Sequence, residues 1–316
     1  MSKTLVLAAD LGGTNLRMAA VGPDGALLYR GSTATPRSGD HKEILGAIDM
    51  LARECREAVS GDFEFKAFGM AVAGVIDFDH GRIRSAPNMP ELDGLDLSAE
   101  LAEKLELPVT VENDATAAAI GENWLGASCG VESSIFVTLG TGVGGGIILN
   151  GVPLRGIDGT AGEIGHICVE PLGVQCGCGS VGCVEQYSSA SAITRMAGEM
   201  KEQYPCSLIE NTEELTPLDV YNAGKAGDKL AIEVFRKMGT YLGIALADLI
   251  NVLNPEVIVI GGGAAAGWEL FIDHLHIEIK KRAFHQPAER ARIIRARLGD
   301  DAGILGAARL AFIKLA

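Results

Sequence analysis

Three thiols and an imidazole crowd one glycine-rich stretch of the chain, GTAGEIGHICVEPLGVQCGCGSVGCVEQ. His166, Cys176, Cys178 and Cys183 make a Cys3His set, a standard tetrahedral zinc shell. The Cys-x-Cys step is tighter than the usual ligand spacing, and Gly177, Gly179 and Gly182 permit the fold-back it needs. Four protein ligands close the shell, so a zinc bound there is structural. It would fix what flanks it, Glu163 before and Glu185 after. Two acids and an imidazole on one rigid loop are suited to hydrogen-bonding a polyol. The competing reading is a cluster of free buried thiols; thiols this close without a metal would be prone to oxidation.

A second chemical stretch is LVLAADLGGTN, Leu5 to Asn15. An apolar strand ends in Asp10, and Gly12, Gly13 and Thr14 follow. A carboxylate at a buried strand end is unfavourable unless something pairs with it. Adjacent glycines let backbone N–H groups face an anion. A nucleotide phosphate with Mg²⁺ would satisfy both. The alternative is a tight hairpin whose Asp10 caps its own turn.

Other glycine patterns are weaker. The lysine-bearing phosphate loop is absent, since Gly224–Lys225 is followed by Ala226. Gly140, Gly142 and Gly145 form a GxGxxG, but the chain continues as GIILNGV, a strand and hairpin turn, where a dinucleotide fingerprint must open a helix. VIVIGGGAAAGWEL is a better strand-to-helix transition. Yet no acid ends the next strand, ARIIRARLG, where a ribose partner belongs. A dinucleotide oxidoreductase is therefore the lesser reading, and Gly261, Gly262 and Gly263 could instead let an adenosine approach the backbone. VTVENDATAAA places Asn113 and Asp114 between a strand and an Ala-rich helix. Either residue would serve as N-cap. A capped, rigid carboxylate is also a well-placed general base.

The elements that must position these groups read as α/β. Strands are expected at Thr4–Ala9, Asn15–Val21 and Ala26–Gly31, then a helix over His41–Ser60, the strand FKAFGMAVAG, a helix over Leu97–Leu105 and the strand LPVTVEND. A helix at Ala115–Leu125 begins a second half. SSIFVTLGTGVGGGIILNGVPL repeats the opening plan of strand, glycine loop, strand and turn, so the chain reads as a duplication whose two glycine loops could grip one polyphosphate. Later elements are a helix over Lys229–Leu253, the strand EVIVI, a helix over Trp268–Ala283, the strand ARIIRA and a helix over Gly303–Leu315. EQYPCSLIENTEELTP reads as a surface excursion.

With 316 residues, 47% of them hydrophobic, two domains with sizeable cores can form. A formal net charge of −14 argues against nucleic-acid binding, which needs a basic face. The most basic segment, Lys280 to Arg297, reads as a helix end and a strand. No secretory signal is evident, and the longest apolar run is interrupted by Arg236, Lys237 and Asp248, so no membrane span is expected. Seven cysteines, four of them (Cys168, Cys176, Cys178, Cys183) in one loop, fit a reducing cytoplasm better than a disulfide framework.

In combination these motifs resemble the ROK family of sugar kinases and repressors, over essentially the whole chain. DLGGTN and LGTGVGGGI are similar to its two phosphate motifs, END to its catalytic-base motif, and GTAGEIGH with CGCGSVGCVEQ to its signature and zinc loop. The resemblance implies an actin-like ATPase fold of two ribonuclease-H-like domains with a cleft between them, one formed by residues 1–112 with 301–316 and a larger one by 113–300. It implies Asp114 as the base for a sugar 6-hydroxyl. Gly74, Asn88, Asn113, Glu163, His166 and Glu185 would bind the sugar. Asp10 would orient Mg²⁺, and Gly12, Gly13, Thr14, Thr141 and Gly142 would cradle the phosphates of ATP. APNMPELDGLDLSAEL is similar to the glucokinase version of its loop, which implies glucose as substrate. Two departures stand out: Cys168 just past His166, and Glu91–Leu92 where many such kinases carry a tryptophan. A cytoplasmic homodimer is expected. Fructose, N-acetylmannosamine or N-acetylglucosamine as acceptor, polyphosphate as donor, and a sugar-responsive regulator are the alternatives. The regulator is disfavoured because the first strand begins near Lys3 and no basic surface is available for DNA.

Overall fold

The computed structural model of the chain describes residues 3–209 and 215–315. The expected excursion at Glu202–Pro217 falls partly outside them, at 210–214. The chain opens with three antiparallel strands, β1 (Lys3–Leu11), β2 (Asn15–Val21) and β3 (Leu27–Ala34). Next come helix α1 (His41–Ala58), strand β4 (Phe63–Val72), a small hairpin of β5 (Val75–Asp77) and β6 (Arg82–Ser85), helix α2 (Leu97–Leu105), strand β7 (Val109–Asn113) and helix α3 (Asp114–Trp124). The first sheet has the order β3-β2-β1-β4-β7, with β4 parallel to both β1 and β7.

The alternation of side chains along a strand explains why β1 lacks polar residues from Leu5 to Ala9. Leu7, Ala9 and Leu11 join one buried cluster with Ile44, Ile48 and Leu51 of α1. Val6 and Ala8 join another with Leu305, Ala307 and Ala308 near the C-terminus. Both faces of β1 are covered, so both must be apolar. α1 begins at Asp40, whose side chain accepts from Lys42 N, and buries Ile44, Leu45, Ile48, Leu51, Ala52 and Cys55 at helical spacing.

The second half repeats the plan. Strands β8 (Ser134–Leu139), β9 (Val143–Leu149) and the short β10 (Val152–Pro153) precede helices α4 (Glu185–Ser188), α5 (Ala190–Met200), α6 (Pro217–Lys225) and α7 (Lys229–Leu253). Strand β11 (Val257–Gly261), helices α8 (Trp268–Arg282) and α9 (His285–Arg290), strand β12 (Arg292–Arg295) and helix α10 (Ala302–Leu315) complete the chain. The second sheet runs β10-β9-β8-β11-β12, the same serial order as the first, so the duplication read from the two glycine loops holds for the topology. The fold is α/β, of the actin-like ATPase type. Among the described residues, no helix is long and apolar enough to cross a membrane.

The chain forms two compact units, Met1–Glu132 with Gly146–Gly162 and Ala296–Ala316, and Ser133–Gly145 with Glu163–Arg295. The first unit thus extends past the boundary expected at Glu112. The reason is the packing of α3 on α10. A Cβ at Gly306 would lie 1.7 Å from Ala117 O, a backbone approach only glycine allows. Residues 146–162 are tied in by Arg155, whose guanidinium pairs with buried Glu112 at 2.7 Å and stacks 3.6 Å above the Phe78 ring. Helices α5, α6 and α9 and the β5–β6 hairpin go beyond the sequence expectations, and the third strand runs to Ala34 instead of Gly31.

Candidate functional site

In the first unit, Asp10 lies one residue from the end of β1, in register with Arg17 of β2. Burial pushes its carboxyl up from 3.8 to about 6, against the attraction of Arg17; Asp300 adds a smaller upward push. A Cβ at Gly303, at the start of α10, would lie 3.3 Å from Asp10 Cγ, so the backbone crowds this carboxylate. Among the described residues, no hydrogen bond reaches the Asp10 side chain, so it does not cap its own turn. The turn is closed without it. Gly12 N donates to Asn15 O at 3.0 Å, Thr35 Oγ1 to Gly12 O at 2.7 Å and Thr35 N to Thr14 O at 2.9 Å. Arg37 Nη2 donates to Gly13 O at 3.2 Å and to Thr14 Oγ1 at 3.3 Å. Gly13 sits against Asn88, whose Cβ would be 3.0 Å from a Cβ placed there.

At the other strand end, Asn113 is the N-cap of α3. Its Oδ1 accepts from Thr116 N at 3.0 Å, and its Nδ2 donates to Gly74 O at 3.0 Å and Asp114 Oδ1 at 3.1 Å. That division leaves Asp114 as the first helical residue, its Oδ1 also accepting from Ala115 N at 2.8 Å. The helix N-terminus favours the charged carboxylate. Gly74 is drawn against the β6 end, where a Cβ would lie 2.6 Å from Ser85 O. Gly12, Gly13, Thr14, Gly74, Asn88, Asn113, Asp10 and Asp114 therefore all belong to one unit. The Glu112–Arg155 pair and Arg37 escape sequence reasoning. The single available signal is an acid, Glu112, next to the valines Val109 and Val111 of a strand, which demands a partner without naming it.

In the second unit, Glu163 precedes the turn Ile164–His166 that orients the imidazole. His166 Nδ1 lies 3.7 Å from Cys176 Sγ, while Nε2 lies 3.9 Å from Glu163 Oε2. The two ring nitrogens thus face different partners. Cys178 and Cys183 sulfurs are 3.7 Å apart, and the four ligand atoms all lie within 4.8 Å of one another. Zn–S bonds of about 2.3 Å in a tetrahedron would set sulfurs about 3.8 Å apart, close to the 3.7 Å between Cys178 and Cys183. Gly182, at φ 74°, comes so close to Glu170 that a Cβ would lie 1.8 Å from its carbonyl oxygen. Cys168 stays outside the cluster, paired backbone to backbone with Cys183.

Glu185 opens α4, and its Oε2 accepts from Val143 N at 3.1 Å. A Cβ at Gly142 would lie 2.3 Å from that same oxygen. Gly142 therefore makes room for a carboxylate, a constraint the glycine pattern alone does not reveal. Thr141 follows Gly140 on a loop pinned to the start of α5, with Ala190 N donating to Gly140 O at 2.8 Å and Ser191 Oγ to Thr141 O at 2.9 Å. Beside it opens a cavity of about 340 Å³ lined mainly by apolar groups, among them Ile193, Pro217, Tyr221, Phe235 and Gly263. Gly262, at φ 86°, turns the chain so tightly against β8 that a Cβ would lie 2.6 Å from Leu139 N.

The match to the ROK family covers residues 6–313. The chain belongs to the ROK family. A glucokinase of Halalkalibacterium halodurans is 37% identical over 97% of this chain and 94% of its own. The ROK hexokinase of Thermus thermophilus superposes with a TM-score of 0.83 at 33% identity, covering 98% of this chain and 99% of that one. A ROK glucokinase of Streptomyces griseus, solved with glucose and AMPPNP, does so with 0.82 at 34% identity over 98% and 99%. As a ROK chain the protein carries every motif by which the resemblance was drawn, in the same order along the sequence.

Proposed function

We propose that this ROK protein transfers the γ-phosphoryl group of ATP to the 6-hydroxyl of a hexose, glucose first among them. The observation that carries the reading is the END corner. Asn113 caps α3, donates to Gly74 O and leaves Asp114 at the first helical position. Asp114 takes the proton of the attacking hydroxyl. The hydroxyl oxygen forms its bond to phosphorus as the bond to the leaving ADP breaks, so the chemistry asks for positioning and charge stabilisation.

Gly74, Asn88, Asn113, Glu163, His166 and Glu185 contribute to holding the sugar. The His166 geometry supports a double role, Nδ1 toward metal and Nε2 toward a hydroxyl. Gly12, Gly13 and Thr14, with Thr141 and Gly142, receive the phosphates, and the cavity by Gly262 and Gly263 receives the base. Asp10, crowded and without a hydrogen bond, fits a cation: Mg²⁺ held there through water would neutralise developing charge on the phosphates. His166, Cys176, Cys178 and Cys183 fit a structural zinc that stiffens the loop carrying Glu163 and Glu185. The protein acts in the cytoplasm as a homodimer.

The test is a coupled assay across glucose, fructose, mannose, N-acetylmannosamine and N-acetylglucosamine, with ATP and polyphosphate as donors. Glucose with ATP should give the highest kcat/KM. Turnover confined to another hexose would move the substrate assignment, and none on any hexose would remove the kinase reading.

A further inference from the structure

The segment after β3 brings a cation to the DLGGTN turn that none of the family motifs contains. Thr35 fastens that segment to the turn at two points, through its hydroxyl to Gly12 O and its N–H to Thr14 O. Pro36 restricts the backbone next to it. Arg37 therefore leaves a fixed anchor, and its Nη2 rests on Gly13 O and Thr14 Oγ1.

The partners of this guanidinium are weak for its type. Both acceptors are neutral, and the distances of 3.2 and 3.3 Å exceed the roughly 2.7–2.9 Å of charge-assisted bonds. Among the described residues Arg37 forms no ion pair, although acids outnumber Lys and Arg by 41 to 27. Arg17, the other arginine at this turn, is 3.2 Å from Asp300. An exposed arginine without a carboxylate, resting only on Gly13 O and Thr14 Oγ1, is placed to exchange two weak bonds for bonds to an oxyanion. Its fork of donors matches phosphoryl oxygens in a way a lysine cannot.

We propose that Arg37 is a catalytic residue of the phosphoryl transfer, and this rests on reading the DLGGTN turn as a phosphate loop. The guanidinium moves from Gly13 O and Thr14 Oγ1 onto the equatorial oxygens of the transferring phosphoryl group. Negative charge accumulates on those oxygens and on the leaving ADP as the old P–O bond breaks and the sugar oxygen bonds to phosphorus. The sugar proton goes to Asp114, and Arg37 keeps its own protons throughout. Thr35 is the positioning residue that holds the arginine to the turn.

The experiment compares R37M and R37K with the wild type for kcat, KM of glucose and ATP, thermal midpoint, and turnover with added guanidinium ion at low millimolar concentration. R37M should lose roughly 10²- to 10³-fold in kcat, the effect of removing one preorganised transition-state donor. The glucose KM should stay within about twofold, since the residue belongs to the phosphate side. Guanidinium should restore part of the R37M rate without altering the wild type, and R37K should fall between. An R37M enzyme with kcat within about threefold of wild type overturns the assignment. So does a loss that guanidinium does not rescue, accompanied by an equal loss in R37K and a lowered thermal midpoint, because that marks a brace for the turn. A wild type inactive on every hexose overturns the kinase reading instead, which keeps the two failures distinct.

Discussion

Asp10→Asn should stabilise the unliganded protein while abolishing its turnover. Burial raises the Asp10 carboxyl from 3.8 to about 6. The folded chain therefore binds that proton more tightly than the unfolded chain does. Its favourable contribution is present below about pH 4 and is lost as pH rises through 6. At about 1.4 kcal/mol per pKa unit, the ionised group disfavours folding by roughly 3 kcal/mol above pH 7. Asn keeps the shape of the side chain and removes the charge, so up to that amount should be recovered. Solvent at this strand end and any rearrangement of Arg17 bring the expectation to about 2–3 kcal/mol. Urea unfolding at pH 5, 6 and 7.5 would measure it. Trp124, 6.3 Å from the Phe312 ring within the same unit, reports the transition once Trp268, one of two tryptophans, is replaced by Phe. The gain should be absent below about pH 4, reach about half its full size at pH 5 and most of it by pH 6, and level off by pH 7.5. The same variant should lose Mg²⁺-dependent turnover. Equal stability at pH 7.5, or a difference that does not change between pH 5 and 7.5, would refute the reasoning.

Asp114→Asn should lower kcat by on the order of 10²–10⁴ with the dissociation constant for sugar nearly unchanged, read by single-turnover kinetics and calorimetry. Purified protein should hold one zinc per chain by metal analysis; Cys178→Ser should lose it and Cys168→Ser retain it, as only Cys178 lies within the ligand cluster. Glu185→Gln should lower kcat as well as raise the glucose KM, because the Glu185 carboxylate also orders Val143 N beside Gly142; a raised KM at wild-type kcat would limit the residue to uniform binding. Gly306→Ala should destabilise the protein by about 2 kcal/mol or more in denaturant melts, the new methyl having no room beside Ala117 O.

What could be read in the sequence follows the range of each signal. The strand-and-glycine repeat predicts both sheets because the pattern is local and occurs twice. Cysteine spacing predicts the His166–Cys183 cluster because its members share one loop. Asn113 and Asp114 are legible as cap or base, and only the hydrogen bonds divide the roles between them. α6 carries a local signature, the capping box of Thr216 and Asp219 with Pro217 at its start, but it adjoins a polar stretch read as an excursion. The unit boundary is a different case. It depends on Gly306 meeting Ala117, residues far apart in the chain, and no local pattern encodes that pairing. Glu112 with Arg155, and Glu185 with Gly142, are hidden for the same reason.

The packing of α10 also bears on synthesis. Val6, Ala8 and Ala71 wait for Ile304, Leu305 and Ala308 before their side of the first sheet is covered. Between Glu132 and Ala302 lie about 170 residues, and at roughly 5–20 residues per second the ribosome needs on the order of ten to thirty seconds to make them. During that interval one side of the first sheet presents an apolar surface to the cell. The intervening unit has its own sheet and helices and can fold in the meantime. The nascent chain is therefore a finished domain beside an unfinished one, and chaperone occupancy should peak in that window and fall as the last helix emerges.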